Sequence, residues 1–233
     1  MTTFVLLHSP LVGPVTWSAL LPELESRGIR TLAPDLGYPT RPPFWSAHAN
    51  AAGAALASTS PDEPVFLVGH SGAGALLPAV RERSARGVAG YVFVDAGLPD
   101  GTQPRKGRGE FAAHLADLHS RGRRLPSWTD EDFREVIPNP GLRRRLLADL
   151  RPQPAEFWDE TIPVAPAWPD APCGYIRFSP NPSYDDAAAA AQARGWPYRD
   201  ISAGHFHMLV EPAAVADALL VVTGAMRHAG TPR

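Results

Sequence analysis

Four short strand-like runs, three of them apolar and each leading to a polar residue, constrain this chain more than any other feature of it. Phe4–Leu7 runs into His8, Val65–Val68 leads through Gly69 and His70 to Ser71, Gly90–Val94 ends at Asp95, and Tyr198–Ile201 leads by a short loop to His205. Runs of this length punctuated by Gly or Pro read as strands, and Val65–Val68, β-branched and aromatic, as a buried strand of a parallel sheet. Between them lie stretches with helical spacing. Trp17–Arg27 carries Trp17, Leu20, Leu21 and Leu24 on one face and stops at Gly28, and Thr31–Ala33 then reads as a second strand. Further helices are predicted over His48–Ser58, Gly72–Val80, Asp185–Arg194 and Pro212–Arg227, with a fifth strand at Gly174–Phe178. Such alternation predicts an α/β fold, a mostly parallel sheet with helices on both faces, whose ligands sit beyond the carboxyl ends of the strands. His8, Ser71, Asp95 and His205 would then meet at one rim.

The stretch around Ser71 is the most specific. Gly69-His70-Ser71-Gly72-Ala73 joins a strand to a helix start through a turn tight enough to demand small neighbours. It resembles the nucleophile elbow of the α/β-hydrolase superfamily, usually Gly-x-Ser-x-Gly, with Ala73 at the fifth position. The resemblance covers nearly the whole chain and is closest to the small esterase and hydroxynitrile-lyase branch. It implies Ser71 as nucleophile and His205, in Ala203-Gly-His-Phe-His-Met, as its base, with His207 the competing histidine. For the acid it leaves two positions open. Members of the superfamily usually carry it after the strand that follows the cap, where this chain reads Ser179-Pro-Asn-Pro-Ser-Tyr184 and reaches a carboxylate only at Asp185, which a helix-start role accounts for. A minority arrangement uses the preceding strand, and Asp95 fits it. The oxyanion hole would use the N–H of Gly72 and one from the loop after the first strand. There the sequence reads His8-Ser9-Pro10, and proline has no N–H, so either Leu11 or Ser9 supplies it from a shifted loop or the oxyanion hole is incomplete.

From about Gly101 to Pro172 the alternation breaks. Helical stretches near Glu110–Ser120, Ser127–Val136 and Gly141–Leu150 are separated by Pro and Gly, without a convincing strand. We read residues 1–100 and 173–233 as the core and 101–172 as a helical insertion, which the resemblance implies is a cap. Trp128, Phe133, Phe157, Trp158 and Trp168 would give it an apolar lining or pack it onto the core. Eleven of the 22 basic residues fall between Arg105 and Arg151. They read as a solvated surface, or as a docking face for an anionic substrate or an acyl carrier protein.

Bulk composition excludes several classes. A net charge of −2 provides no field for nucleic acid or a membrane surface, and no run is long enough to span a bilayer. Cys173 is the only cysteine, which rules out an internal disulfide or a cysteine metal cluster, and the N-terminus lacks the basic start of a signal peptide, so a cytoplasmic location is expected. No metal or cofactor is called for, and the partner is a small-molecule substrate. The expectation is therefore a serine hydrolase of a carboxylic ester or thioester. Its rivals are a lyase or cyclase of secondary metabolism on the same scaffold, with Ser71 only a hydrogen-bonding group, and a ligand-binding protein with an idle triad.

Overall fold

A computed structural model of the chain describes residues 1–107 and 109–229. Arg108, counted above among the basic residues, lies outside them. Six strands form one all-parallel sheet: β1 (Thr2–Leu7), β2 (Ile29–Leu32), β3 (Val65–His70), β4 (Gly90–Val94), β5 (Cys173–Ser179) and β6 (Tyr198–Ser202), in the order β2-β1-β3-β4-β5-β6. The order explains the apolar runs. The central strands β3 and β4 are buried at every residue, whereas the edge strands β2 and β6 are only partly covered and carry Arg30, Arg199 and Asp200. Alternate residues serve opposite faces. Phe4, Leu6, Phe66, Val68, Val92 and Val94 pack with α1 (Leu20–Ser26) and α9 (Pro212–Ala229), while Val5, Leu7, Val65, Leu67, Tyr91 and Phe93 pack with α2 (Phe44–Ala57), α3 (Leu77–Arg81) and α8 (Asp185–Ala193).

Chain order reverses beside β1. The first crossover runs from β1 out to β2, and the next returns past β1 to β3. A crevice forms at such a reversal because the loops leaving the two strands diverge to opposite faces. Those loops begin at His8 and Ser71.

Several boundaries differ from the sequence expectation. Trp17–Arg27 is not one helix: Pro14–Trp17 is a 3₁₀ turn and α1 starts only at Leu20. Helix α2 starts four residues earlier than expected, directly after Pro43, with the Glu160 carboxylate accepting from the N–H groups of Phe44 and Trp45 at its N-terminus. That carboxylate is distant in sequence, so local spacing did not reveal the start. Between β4 and β5 lie α4 (Glu110–Ser120), α5 (Asp130–Phe133), α6 (Pro140–Ala148) and α7 (Ala155–Asp159). The expected helix at Ser127–Val136 shrinks to the four residues of α5, started by a capping box of Thr129 and Asp132, and α7 was not foreseen. Among the described residues the excursion's only strand-like pairing is one bridge between Leu125 and Gln153.

Candidate active site

Ser71 is the first residue beyond β3 and has φ 57, in the left-handed region. A non-glycine residue there costs about 1–3 kcal/mol, and persists only where its surroundings enforce it. Here the chain turns immediately into a 3₁₀ segment, Ser71–Leu76, before α3. The tight approach falls on Gly74, where a Cβ would stand 2.3 Å from the Gly97 carbonyl oxygen. Ala73, at the fifth position of the elbow pattern, is fully buried in the core and needs no such freedom.

Asp95, just beyond β4, also has positive φ, 42, and is fully buried. Burying a carboxylate is costly unless its oxygens are satisfied. Its Oδ1 accepts from the Phe178 N–H at 3.2 Å; its Oδ2 accepts from His205 Nδ1 at 2.6 Å and from Asn181 Nδ2 at 2.6 Å. Asp95 is thus the carboxylate beside His205. Asp185 points elsewhere: it pairs with Arg177 at 2.5 Å at the start of α8.

His205 sits on the loop after β6, and a second histidine holds that loop. His70, fully buried, donates from Nε2 to the His205 carbonyl at 2.9 Å, with the two rings 4.4 Å apart. Burial drives its pKa well down, so it is a neutral support for the loop. Two residues that sequence reasoning passed over complete the surroundings. Asn181 Nδ2 lies 3.3 Å from His205 Nδ1 in addition to its bond to Asp95. The Tyr184 hydroxyl is 2.9 Å from Ser71 Oγ, and its ring stacks on His205 with centroids 5.5 Å apart and planes 20° from parallel. Among the described residues the hydrogen-bond partner of the Ser71 hydroxyl is therefore Tyr184, not His205. The available signal was position: Asn181 and Tyr184 leave β5 at the same rim as the other site residues.

Across the crevice, a Cβ at Gly72 would stand 3.4 Å from Ser9 Oγ and 3.7 Å from Pro10 Cδ, so the residue after Ser71 abuts the loop after β1. In that loop the Leu11 N–H donates to Ser9 Oγ at 3.3 Å and the Val12 N–H to the Ser9 carbonyl at 3.1 Å. His8 braces it, donating from Nδ1 to the Ser9 carbonyl at 2.9 Å and accepting from the Leu36 N–H at 3.1 Å; burial lowers its pKa. The far side is tied to the excursion. Gln153 Nε2 donates to the Pro10 carbonyl at 2.7 Å, the Arg151 N–H to the Leu11 carbonyl at 2.9 Å, and Asp149 accepts from the Val15 N–H at 3.1 Å.

The five aromatics named above divide. Trp128 and Phe133 pack on Phe206, next to His205. Phe157 and Trp158 cluster with Phe44, Leu115 and, in the loop after β1, Leu11. Trp168 packs back onto Tyr91 and Phe93 of the sheet. Of the Arg143–Arg145 run, Arg143 is committed to the fold, donating to the carbonyls of Ile137 and Pro138 and to Asp130. His207 packs against the Phe178 ring, and no metal-binding cluster of His, Cys, Asp or Glu occurs among the described residues. No described helix is long and apolar enough to cross a membrane.

A family model described as the alpha/beta hydrolase family matches residues 4–218. The chain belongs to the alpha/beta hydrolase family. Within it, 104 residues are 33% identical to polyneuridine aldehyde esterase of Rauvolfia serpentina, a match spanning 42% of this chain and 39% of that relative. The fold of this hydrolase-family chain is shared with an extracellular alpha/beta-hydrolase from a Paenibacillus species, described as similar to tobacco salicylic acid binding protein 2 (TM-score 0.76, 17% identity, covering 95% of this chain and 99% of that one). It is shared too with tomato methylketone synthase I bound to 2-tridecanone (TM-score 0.67, 16% identity, 97% and 98% covered). Family membership places the protein among the alpha/beta hydrolases, whose fold also serves a synthase.

Proposed function

We propose that this protein is a serine hydrolase of a carboxylic ester or thioester, with residues 101–172 forming a cap over the site. Ser71 attacks the acyl carbon, His205 takes its proton and returns it to the leaving group, Asp95 orients His205, and the Gly72 N–H faces the oxyanion. The observation that carries this reading is the 2.6 Å bond between buried Asp95 and His205 at the rim where Ser71 is raised on a left-handed turn. Neutral ester hydrolysis needs a positioned proton acceptor and no resident cofactor. Apolar packing of Trp128 and Phe133 against Phe206 beside His205 favours an apolar acyl or alcohol group.

The test is hydrolysis of p-nitrophenyl acetate and butyrate by the wild type beside three variants. Ser71→Ala and Asp95→Asn should each lose roughly 10³-fold or more in kcat, the scale of triad removal. Asp185→Asn should stay within about threefold, because its partner is a surface arginine. Equal rates in the wild type and Ser71→Ala would overturn the hydrolase reading.

One observation favours a second reading. The N–H of Leu11 is directed at Ser9 Oγ and Pro10 has none to offer, so the side of the crevice facing Gly72 presents a hydroxyl from Ser9. A site of that kind suits a lyase in which His205 abstracts a proton and Ser71 only binds. A serine-directed fluorophosphonate separates the two, labelling Ser71 in a hydrolase and leaving it free in such a lyase.

A further inference from the structure

One four-residue segment, Asn181–Tyr184, touches every member of the Ser71, His205 and Asp95 set: Asn181 reaches Asp95 and His205, and Tyr184 reaches Ser71 and lies flat on His205. The phenol is the part of this segment that meets the reacting serine. Resting on the hydrolase reading, we propose that Tyr184 is a further catalytic residue, whose hydroxyl donates a hydrogen bond to the leaving oxygen of the ester as the acyl enzyme forms.

The argument is geometric. In the tetrahedral adduct the leaving oxygen and Ser71 Oγ are bonded to the same carbon, so they lie closer together than a hydrogen-bond length. The leaving oxygen must also face His205, from which it takes its proton. A hydroxyl 2.9 Å from Oγ, on a ring stacked against that same imidazole, is within reach of the position. When the adduct collapses, the bond between carbon and leaving oxygen breaks, the electron pair passes to that oxygen, and the proton moves to it from His205. The phenol keeps its own proton throughout. Burial raises the Tyr184 hydroxyl to about 12, so it is protonated at any ordinary working pH and can donate. Before reaction the same hydroxyl engages Ser71. Acylation turns Oγ into an ester oxygen, a poorer acceptor, and frees the phenol for the developing alkoxide.

The test compares two esters of one acid, ethyl butyrate and p-nitrophenyl butyrate, in the wild type and Tyr184→Phe, by kcat/KM so that only steps through acylation count. Ethoxide is a poor leaving group and p-nitrophenoxide a good one. The variant should lose on the order of 10- to 100-fold on the ethyl ester and less than about threefold on the p-nitrophenyl ester. Equal losses on both, or none on either, overturn the proposal. Phenylalanine keeps the ring stack; should the variant nevertheless fold poorly, 3,5-difluorotyrosine at position 184 keeps the hydroxyl and lowers its pKa. The alkaline limb of the ethyl ester profile should then move to lower pH, and an unmoved limb overturns the proposal. A wild type that neither hydrolyses the p-nitrophenyl ester nor reacts with a fluorophosphonate at Ser71 removes the hydrolase reading itself. A wild type that does both while the variant's two losses match removes only the role of Tyr184.

Discussion

Asp95 and Asn181 approach His205 from the ends of two neighbouring strands. The carboxylate reaches His205 from the end of β4, and the amide reaches the same pair from beyond β5, 2.6 Å from Asp95 Oδ2 and 3.3 Å from His205 Nδ1. Exchanging the two should therefore work. Asp95→Asn alone leaves His205 without its carboxylate, but adding Asn181→Asp returns one within reach of Nδ1. We expect the double variant to recover at least about tenfold of the activity lost in the single one, measured as kcat/KM on p-nitrophenyl butyrate. A double variant no better than Asp95→Asn would show that the carboxylate must come from β4. At this scale the sequence was uneven as a guide. Asp95 was legible only as one of two candidates, since an ionisable residue directly after a strand can serve as the acid or simply cap a turn and Asp185 competed with it. Asn181 was silent because an amide in a Pro-rich loop is what any loop contains, and Tyr184 because nothing local distinguishes a tyrosine that packs from one that meets a serine.

The elements were legible wherever burial was two-sided. β1, β3 and β4 announced themselves as unbroken apolar runs, and their order along the chain already implied a parallel sheet. Legibility failed where long-range contacts decide. Helix α2 starts where Glu160 caps it from over a hundred residues away, and α5 and α7 are held by packing on Phe206 and Phe44 rather than by internal periodicity. The stitching of residues 149–153 to the loop after β1 was equally invisible, because its partners on the loop side are backbone groups, which no residue type marks. It has a functional consequence that can be measured. Arg151 grips Asp35 through two nitrogens, at 2.6 and 3.0 Å, and also donates to the Gly37 carbonyl, while its own backbone holds Leu11. Arg151→Met should loosen the loop facing Gly72 and lower kcat/KM by about tenfold. Lys106→Met, which removes only an exposed pair with Asp159, should change it less than twofold. Matching losses in the two variants would sever the excursion from the chemistry.

Across the whole molecule, three buried histidines set the response to acid. His8, His48 and His70 are held neutral chiefly by burial, with His48 pushed down to about 4. In the unfolded chain each would titrate near 6.5. As pH falls below that value the unfolded chain binds protons that the folded one refuses, so stability declines. His48 alone should contribute a loss on the order of 2 kcal/mol by pH 5. Asp35 acts later: Arg151 holds its carboxyl down to about 2, so its contribution is intact above about pH 4 and fades only as pH approaches 2. Urea unfolding at pH 7.5 and 5.0 checks the first stage, and His48→Gln should flatten it; an unchanged midpoint between the two pH values would refute it.

The partners of the Asp95 side chain carry a consequence for how the chain acquires its structure. Phe178, Asn181 and His205 all follow it, by 83 residues or more. A nascent chain that has completed β4 owns a carboxylate destined for the interior with nothing yet made to receive it. Sealing it away unpaired would cost several kcal/mol, so the first four strands have reason to stay open at that rim during synthesis. The rim can close only after β5 and the loop beyond β6 have been delivered, and the same late arrivals bring Tyr184 and His205 to Ser71. Maturation of the site and completion of the sheet are then one event rather than two.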